Sequence, residues 1–283
     1  MSKIITILIM LTVILGTTRA EDFRYGGVAY RKVTSELYNA VAVTYKGKDI
    51  NNEDYARKLT IPSMITISEN NYIVVAIGHE AFYSCPSLTG IVLPETVRRI
   101  EHEAFFGCSG LKSITLPDSV KEIGYEAFSG CANLTSIKIP CNVKMIDNET
   151  FEECFNLKSI TLPDSLETIG KEAFCYCTSL SKIHIPACIT KIRNNAFTNC
   201  SRLERVVIDA SEPPILGTEV FDGTSPRLKF YVPAASVEKY KETENWTTFN
   251  IQPIPEVWPA EPTKPVKKNT KTSSKRISSK KKR

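Results

Sequence analysis

The chain has no glycine-rich phosphate loop, which excludes the backbone cradle on which nucleotide-binding folds hold their phosphates. It has only three histidines, His79, His102 and His184, and they are not read as one column. No Ser/His/Asp or Cys/His set can be named from them, so catalysis is not expected. Cys175-Tyr176-Cys177 is not a zinc spacing and no second pair completes it, so neither a metal nor a cofactor is expected. Long apolar runs are missing too. The one conspicuous run, Ile4 to Leu15, is too short for a membrane helix, which needs roughly 20 residues.

That run sits in a recognisable layout. Lys3 precedes it, and Gly16 with Thr18-Arg19-Ala20 follows, as in a secretory signal peptide covering residues 1–20. No cysteine follows Ala20, so the usual bacterial lipid attachment site is absent. The expectation is an exported protein, secreted or held at the cell surface without a membrane span.

The charge is uneven. Residues 257–283 carry ten Lys or Arg and one acid, Glu261. With +9 there and +2 in the first twenty residues, the net charge of +5 leaves −6 for residues 21–256. From Val257 the composition is Pro, Lys, Ser and Thr with few apolar residues, which predicts a disordered basic tail over 257–283. Its cations, Lys267, Lys268, Lys271, Lys275, Arg276, Lys280, Lys281, Lys282 and Arg283, are candidates for non-specific polyanion contact. No aromatic residue interrupts the Lys-rich part, so sequence-specific nucleic-acid reading is not expected.

The abundant feature is a repeat. Phenylalanines stand at 82, 105, 128, 151, 174 and 197, a step of 23 residues. Cys85, Cys108, Cys131, Cys154, Cys177 and Cys200 follow three later, and Leu88 to Leu203 three after those. Ile91, Ile114, Ile137, Ile160, Ile183 and Val206 keep the same register, and proline closes five of the six units. One such unit cannot bury its apolar side chains, but stacked units can, so a solenoid is predicted. LxxIxLP reads as a short strand ended by proline, and its stacking gives a parallel sheet with coils roughly 4.8 Å apart. EAFxxC allows turns or a short helical turn on the opposite side. The xxVxxI segment is compatible with an extended piece or a tight turn.

This unit resembles that of the BspA-type leucine-rich repeat family, and "LKSITLPDSVKEIGYEAFSGC", residues 111–131, carries the likeness throughout. The resemblance covers about residues 55–254. It implies a leucine-rich repeat solenoid in an exported, mostly bacterial surface protein of the adhesion and partner-binding kind.

The ends differ from the repeat. Two antiparallel strands are expected in 23–45, within an N-terminal cap over 21–58, before a solenoid at 59–234. The first coil is nine residues longer than the rest, read as a surface loop around Glu69-Asn70-Asn71. A C-terminal cap is expected at 235–256, with Ser236 as N-cap of a short helix holding Val237 and Tyr240, and Trp246 covering the last core layer.

The six cysteines of the register are read as small core residues, and the glutamates at 80, 103, 126, 149 and 172 as a solvated edge. With Ile and Leu of IxL inward, the residues around them point outward. The candidate partner-binding face is therefore Ser113, Thr115, Ser136, Lys138, Ser159, Thr161, Lys182, His184 and Arg205, hydroxyl-rich first and basic later. The expected partner is a protein or glycan on a host or envelope surface. The other reading is a structural envelope component attached through its basic tail.

Overall fold

The computed structural model describes residues 22–25, 28–33, 39–44 and 58–258. The expected signal peptide, and the basic tail from residue 259 onward, lie outside the described residues. Each coil of the solenoid contributes three sides.

The first side is the main parallel sheet, which the LxxIxL segments build because alternation puts one set of branched side chains inward. It runs as three hydrogen-bonded ladders stacked in succession: β4 (Lys58–Thr60), β7 (Gly90–Val92) and β9 (Ser113–Thr115); β11 (Ser136–Lys138) and β13 (Ser159–Thr161); and β15 (Lys182–Ile185), β17 (Arg205–Ile208), β19 (Lys229–Val232) and β20 (Ile251–Pro253). Paired coils keep identical register, as in Ser136 beside Ser159 and Lys182 beside Arg205. In β9, β11 and β13 the central residue is buried and its neighbours face outward.

The second side resolves the ambiguous xxVxxI segments. They are extended, in two-residue strands: β8 (Arg99–Ile100), β10 (Glu122–Ile123), β12 (Met145–Ile146), β14 (Thr168–Ile169), β16 (Lys191–Ile192) and β18 (Ile215–Leu216). One glycine here answers to a close approach. A Cβ on Gly124 would stand 2.7 Å from the backbone nitrogen of His102 in the coil before.

The third side is a column of turns rather than helix. Alternate amides leave the coil: Phe105 N–H donates to Ala127 O at 2.9 Å and Glu103 N–H to Tyr125 O at 3.0 Å. The amides between them stay inside, as Phe106 N–H does on Glu103 O at 3.0 Å. A helix would direct every amide back along its own chain, so no bond would reach the next coil.

Inside, the phenylalanines at 82, 105, 128, 151, 174 and 197 are fully buried. With Phe221 they form one stack, centroids 5.1–5.6 Å apart and planes within 12°. That spacing suits offset aromatic contact. Where Thr150 replaces the usual alanine, its hydroxyl donates to Asp147 O at 2.9 Å, which settles the buried polar group.

The N-terminal end is more strand-rich than expected. "FRYGGVAYRKV" is two strands, β1 (Asp22–Tyr25) and β2 (Val28–Val33), paired antiparallel with Tyr25 opposite Val28. β3 (Ala40–Thr44) pairs antiparallel with β2 and parallel with β6 (Asn70–Ile77), which in turn pairs β8, so this end extends the second ladder, not the main sheet. The loop expected around Glu69-Asn70-Asn71 is instead a hairpin tip between β5 (Met64–Ile67) and β6 (Asn70–Ile77). Ser68 and Glu69 have φ of 45° and 66°, the left-handed pair that matches strand twist in a two-residue turn.

At the other end, Ser236 precedes α1 (Val237–Glu242) but makes no capping bond. It is buried at the end of a 3-10 turn, Ala234–Ser236, with α-like backbone angles that do not suit an N-cap. Trp246 covers the last layer as expected: it is 1% exposed, lies edge-on to Phe230 and donates from its indole nitrogen to Pro214 O at 3.0 Å.

Candidate functional site

The parallel register places the candidate face residues on one surface. Ser113, Thr115, Ser136, Lys138, Ser159, Thr161, Lys182 and His184 are exposed, and Arg205 is half-buried. Ser113, Thr115, Ser136, Lys138, Ser159 and Thr161 line an open groove of about 760 Å³. Lys182 and Arg205 line a second one, of about 910 Å³, toward the C-terminal end.

The face assignment missed Lys229 and Tyr231, which line the second groove, and Trp258, which packs on Tyr231 beside it. Lys229 continues the row, since Lys182 pairs with Arg205 and Arg205 with Lys229. Three cations thus stand on successive strands, each one strand spacing of roughly 4.8 Å from the next. The signal was available: Lys229 follows Phe221 by eight residues, as Arg205 follows Phe197, but the 24-residue last step hid it. Tyr231 and Trp258 complete the cluster. Trp258 packs against Tyr231 with centroids 5.0 Å apart, and the Arg205 guanidinium lies 4.7 Å from the Trp258 centroid. Nothing in the repeat pattern could have placed Trp258, which lies beyond it.

His184 is engaged within the face. Its Nε2 stands 2.7 Å from Asp209 Oδ2 on the next coil, so its positive form is matched by a carboxylate. Glu204 likewise lies 3.7 Å from Arg227. The groove is therefore basic along one row and charge-balanced at its sides.

The turn column carries a second concentration of charge. Glu80, Glu103, Glu126, Glu149, Glu172 and Glu219, with Asn195, all have φ between 52° and 58°. A side chain in this left-handed region costs roughly 1–2 kcal/mol per residue. Each coil keeps it because the amide it turns outward bonds the next coil. The column is more than a solvated edge. Burial and the neighbouring Glu126 and Glu80 charges raise the Glu103 carboxyl above the usual range, against a lowering by His79 and His102. Burial, Glu149 and Glu172 push Glu152 up to about 7. Lower in the column Lys171 offsets the repulsion, 3.2 Å from Glu172 and 4.0 Å from Glu149.

His79 and His102 stand 23 residues apart, one period, so they belong to one column after all. The His102 ring is committed to structure, its Nδ1 accepting the Tyr125 amide at 3.1 Å. All six register cysteines are buried.

Similarity to known proteins follows this geometry. A family model described as the BspA type leucine rich repeat region matches residues 75–240 in 6 copies. The crystal structure of a T. pallidum leucine rich repeat protein superposes with a TM-score of 0.60 at 26% identity, covering 79% of this chain and 95% of that one. A leucine rich cell surface protein from Faecalibacterium prausnitzii A2-165 superposes with a TM-score of 0.54 at 25% identity, covering 78% and 73%. No curated protein matches the chain.

Proposed function

The chain belongs to the BspA-type leucine-rich repeat family, and from that membership we propose an exported surface protein that binds an anionic protein or glycan through its main sheet. The observation that supports this reading is the row Lys182, Arg205 and Lys229 with Tyr231 in an open groove, flanked by Trp258 against Tyr231 and Arg205. Arg, Tyr and Trp are the residue types that anchor interfaces, and a regular line of cations suits an extended anionic ligand. The similar F. prausnitzii protein is a cell surface protein, which agrees with the location proposed here. Among the described residues no helix is long and apolar enough to cross a membrane. Binding, not catalysis, is the proposed activity, because the family's repeat builds a surface rather than an enclosed pocket.

A second reading keeps the protein as an envelope component attached through Lys267 to Arg283. The ten basic residues of 257–283 favour it, since they suit envelope phosphates or acidic glycans. One experiment separates the two. Residues 21–283, residues 21–258, and residues 21–283 with Lys138, Lys182 and Arg205 changed to Glu are applied to glycan and host-protein arrays across a salt gradient. Binding that survives truncation and fails in the charge-reversed protein supports the sheet face. Binding lost on truncation and kept by the triple variant supports the tail instead.

A further inference from the structure

We infer that His79, Glu80 and Glu103 form a binding site for a divalent transition-metal ion of the zinc class. The three residues lie at the N-terminal end of the turn column, on two successive coils. Their ligand atoms, one imidazole nitrogen and two carboxylate oxygens, all lie within 4.8 Å of one another. His79 Nε2 is 3.8 Å from Glu80 Oε1. Tetrahedral zinc, with bonds of roughly 2.0–2.2 Å, holds its ligand atoms about 3.4 Å apart. Small side-chain rotations close that difference, and the His79 side chain (57% exposed) and Glu80 side chain (40% exposed) are free to make them.

The histidine is already oriented for ligation. His79 Nδ1 lies 3.1 Å from His102 O. A carbonyl only accepts, so Nδ1 is a donor here, and Nε2, the atom facing Glu80, is the nitrogen available for a metal. A metal-bound imidazole is held in just this way, with its far nitrogen on a backbone carbonyl. The next shell extends it: His79 N–H donates to Glu101 Oε2 at 3.2 Å, and Glu101 Oε1 is 3.5 Å from the Arg99 guanidinium.

Charge points the same way. Glu103 faces Glu80 and Glu126, with His79 and His102 as the nearby groups of opposite tendency. Farther down the column the ammonium of Lys171 sits between Glu149 and Glu172 and neutralises them. At Glu80 and Glu103 the corresponding nitrogen belongs to the imidazole of His79, a group that can ligate a metal as an ammonium cannot. One dication there balances two carboxylates. An imidazole with two carboxylates suits zinc and its neighbours better than calcium or magnesium, which take oxygen alone. Sequence hides the site because Glu103 lies a full coil from His79 and Glu80.

The test is a calorimetric titration of the chain with zinc chloride, carrying Cys141→Ser and Cys188→Ser to remove the two exposed thiols. One equivalent should bind. H79Q and E103Q should each weaken it by at least about tenfold, while H184Q leaves it unchanged. Absence of binding up to about millimolar zinc, or undiminished affinity in H79Q, overturns the site. If E103Q does not fold, H79Q decides alone, because its ring is exposed and its loss leaves the core intact. Zinc-edge absorption gives an independent reading: a first shell of nitrogen and oxygen supports the site, and sulfur overturns it.

Discussion

The Cys131 thiol lies 3.3 Å from the Phe105 carbonyl oxygen of the coil before and donates to it. The same carbonyl accepts the Cys108 amide at 3.1 Å, so both its lone pairs are used. The bond recurs from Cys108, Cys154, Cys177 and Cys200 at 3.1–3.3 Å. The register cysteines are thus apolar filling with one donor each, and a hydroxyl at the same place has a partner. Cys131→Ser should cost about 1–2 kcal/mol and match Cys131→Ala within about 1 kcal/mol. Denaturant unfolding checks this. A loss above about 3 kcal/mol for the serine variant alone means the hydroxyl finds no partner.

Burial drives the Cys131 and Cys177 thiols well above their ordinary range. The thiolate is the reactive form, so these positions should resist alkylation in the folded protein. Mass mapping after iodoacetamide should show Cys141 and Cys188, both exposed, labelled in the native protein. Cys85, Cys108, Cys131, Cys154, Cys177 and Cys200 should label only after unfolding. Native labelling of the register cysteines would contradict the packing described.

Glu152, pushed up to about 7 by burial and by Glu149, Glu172, Glu153 and Glu126, ties stability to pH. The folded chain holds a proton that the unfolded chain releases between its ordinary value of 4.5 and about 7. Stability from this group is full below that window and is lost as pH rises through it. Glu152→Gln should therefore match the parent near pH 4.5 and exceed it by about 1 kcal/mol at pH 8, after allowance for its partial exposure. Thermal unfolding at the two pH values measures the difference. An equal effect of the substitution at both would remove the carboxylate repulsion as its cause.

Trp246→Phe should cost about 2 kcal/mol, because it leaves Pro214 O without the indole donor and opens space beside Phe230 and Tyr240. Loss should appear first at the C-terminal coils, since a solenoid coil is stabilised by its neighbours. Hydrogen exchange at Phe221 to Val232 reads this directly, and uniform loosening of all coils would refute the local effect.

Deleting residues 257–283 should leave the melting temperature within about 1 °C, since Val257 and Trp258 are exposed and Trp258 packs on the half-buried Tyr231 and Arg205 rather than in the core. It should lower retention on a heparin-like resin at moderate salt. Equal elution of the two proteins across the gradient would show that the segment contributes no polyanion affinity.

Eight positions held in register through six units made the coil, its period and its buried residues legible in the sequence. A core position repeated at fixed spacing has one stable solution, which is to stack on itself. Phe128, Cys131, Leu134 and Ile137 could be assigned inward before any coordinate because each has a counterpart above and below. The outward row of Lys182 and Arg205 followed from alternation alone. Tertiary structure decided what depends on contacts between coils or beyond them. The EAF column became turns, not helix, because its amides bond the next coil. Trp258 reached Arg205 by folding back after the repeat ended, and His79 met Glu103 across a coil boundary. Such pairings are distant along the chain and close in space, and the stacking that creates them is a property of the assembled solenoid, which no single unit carries.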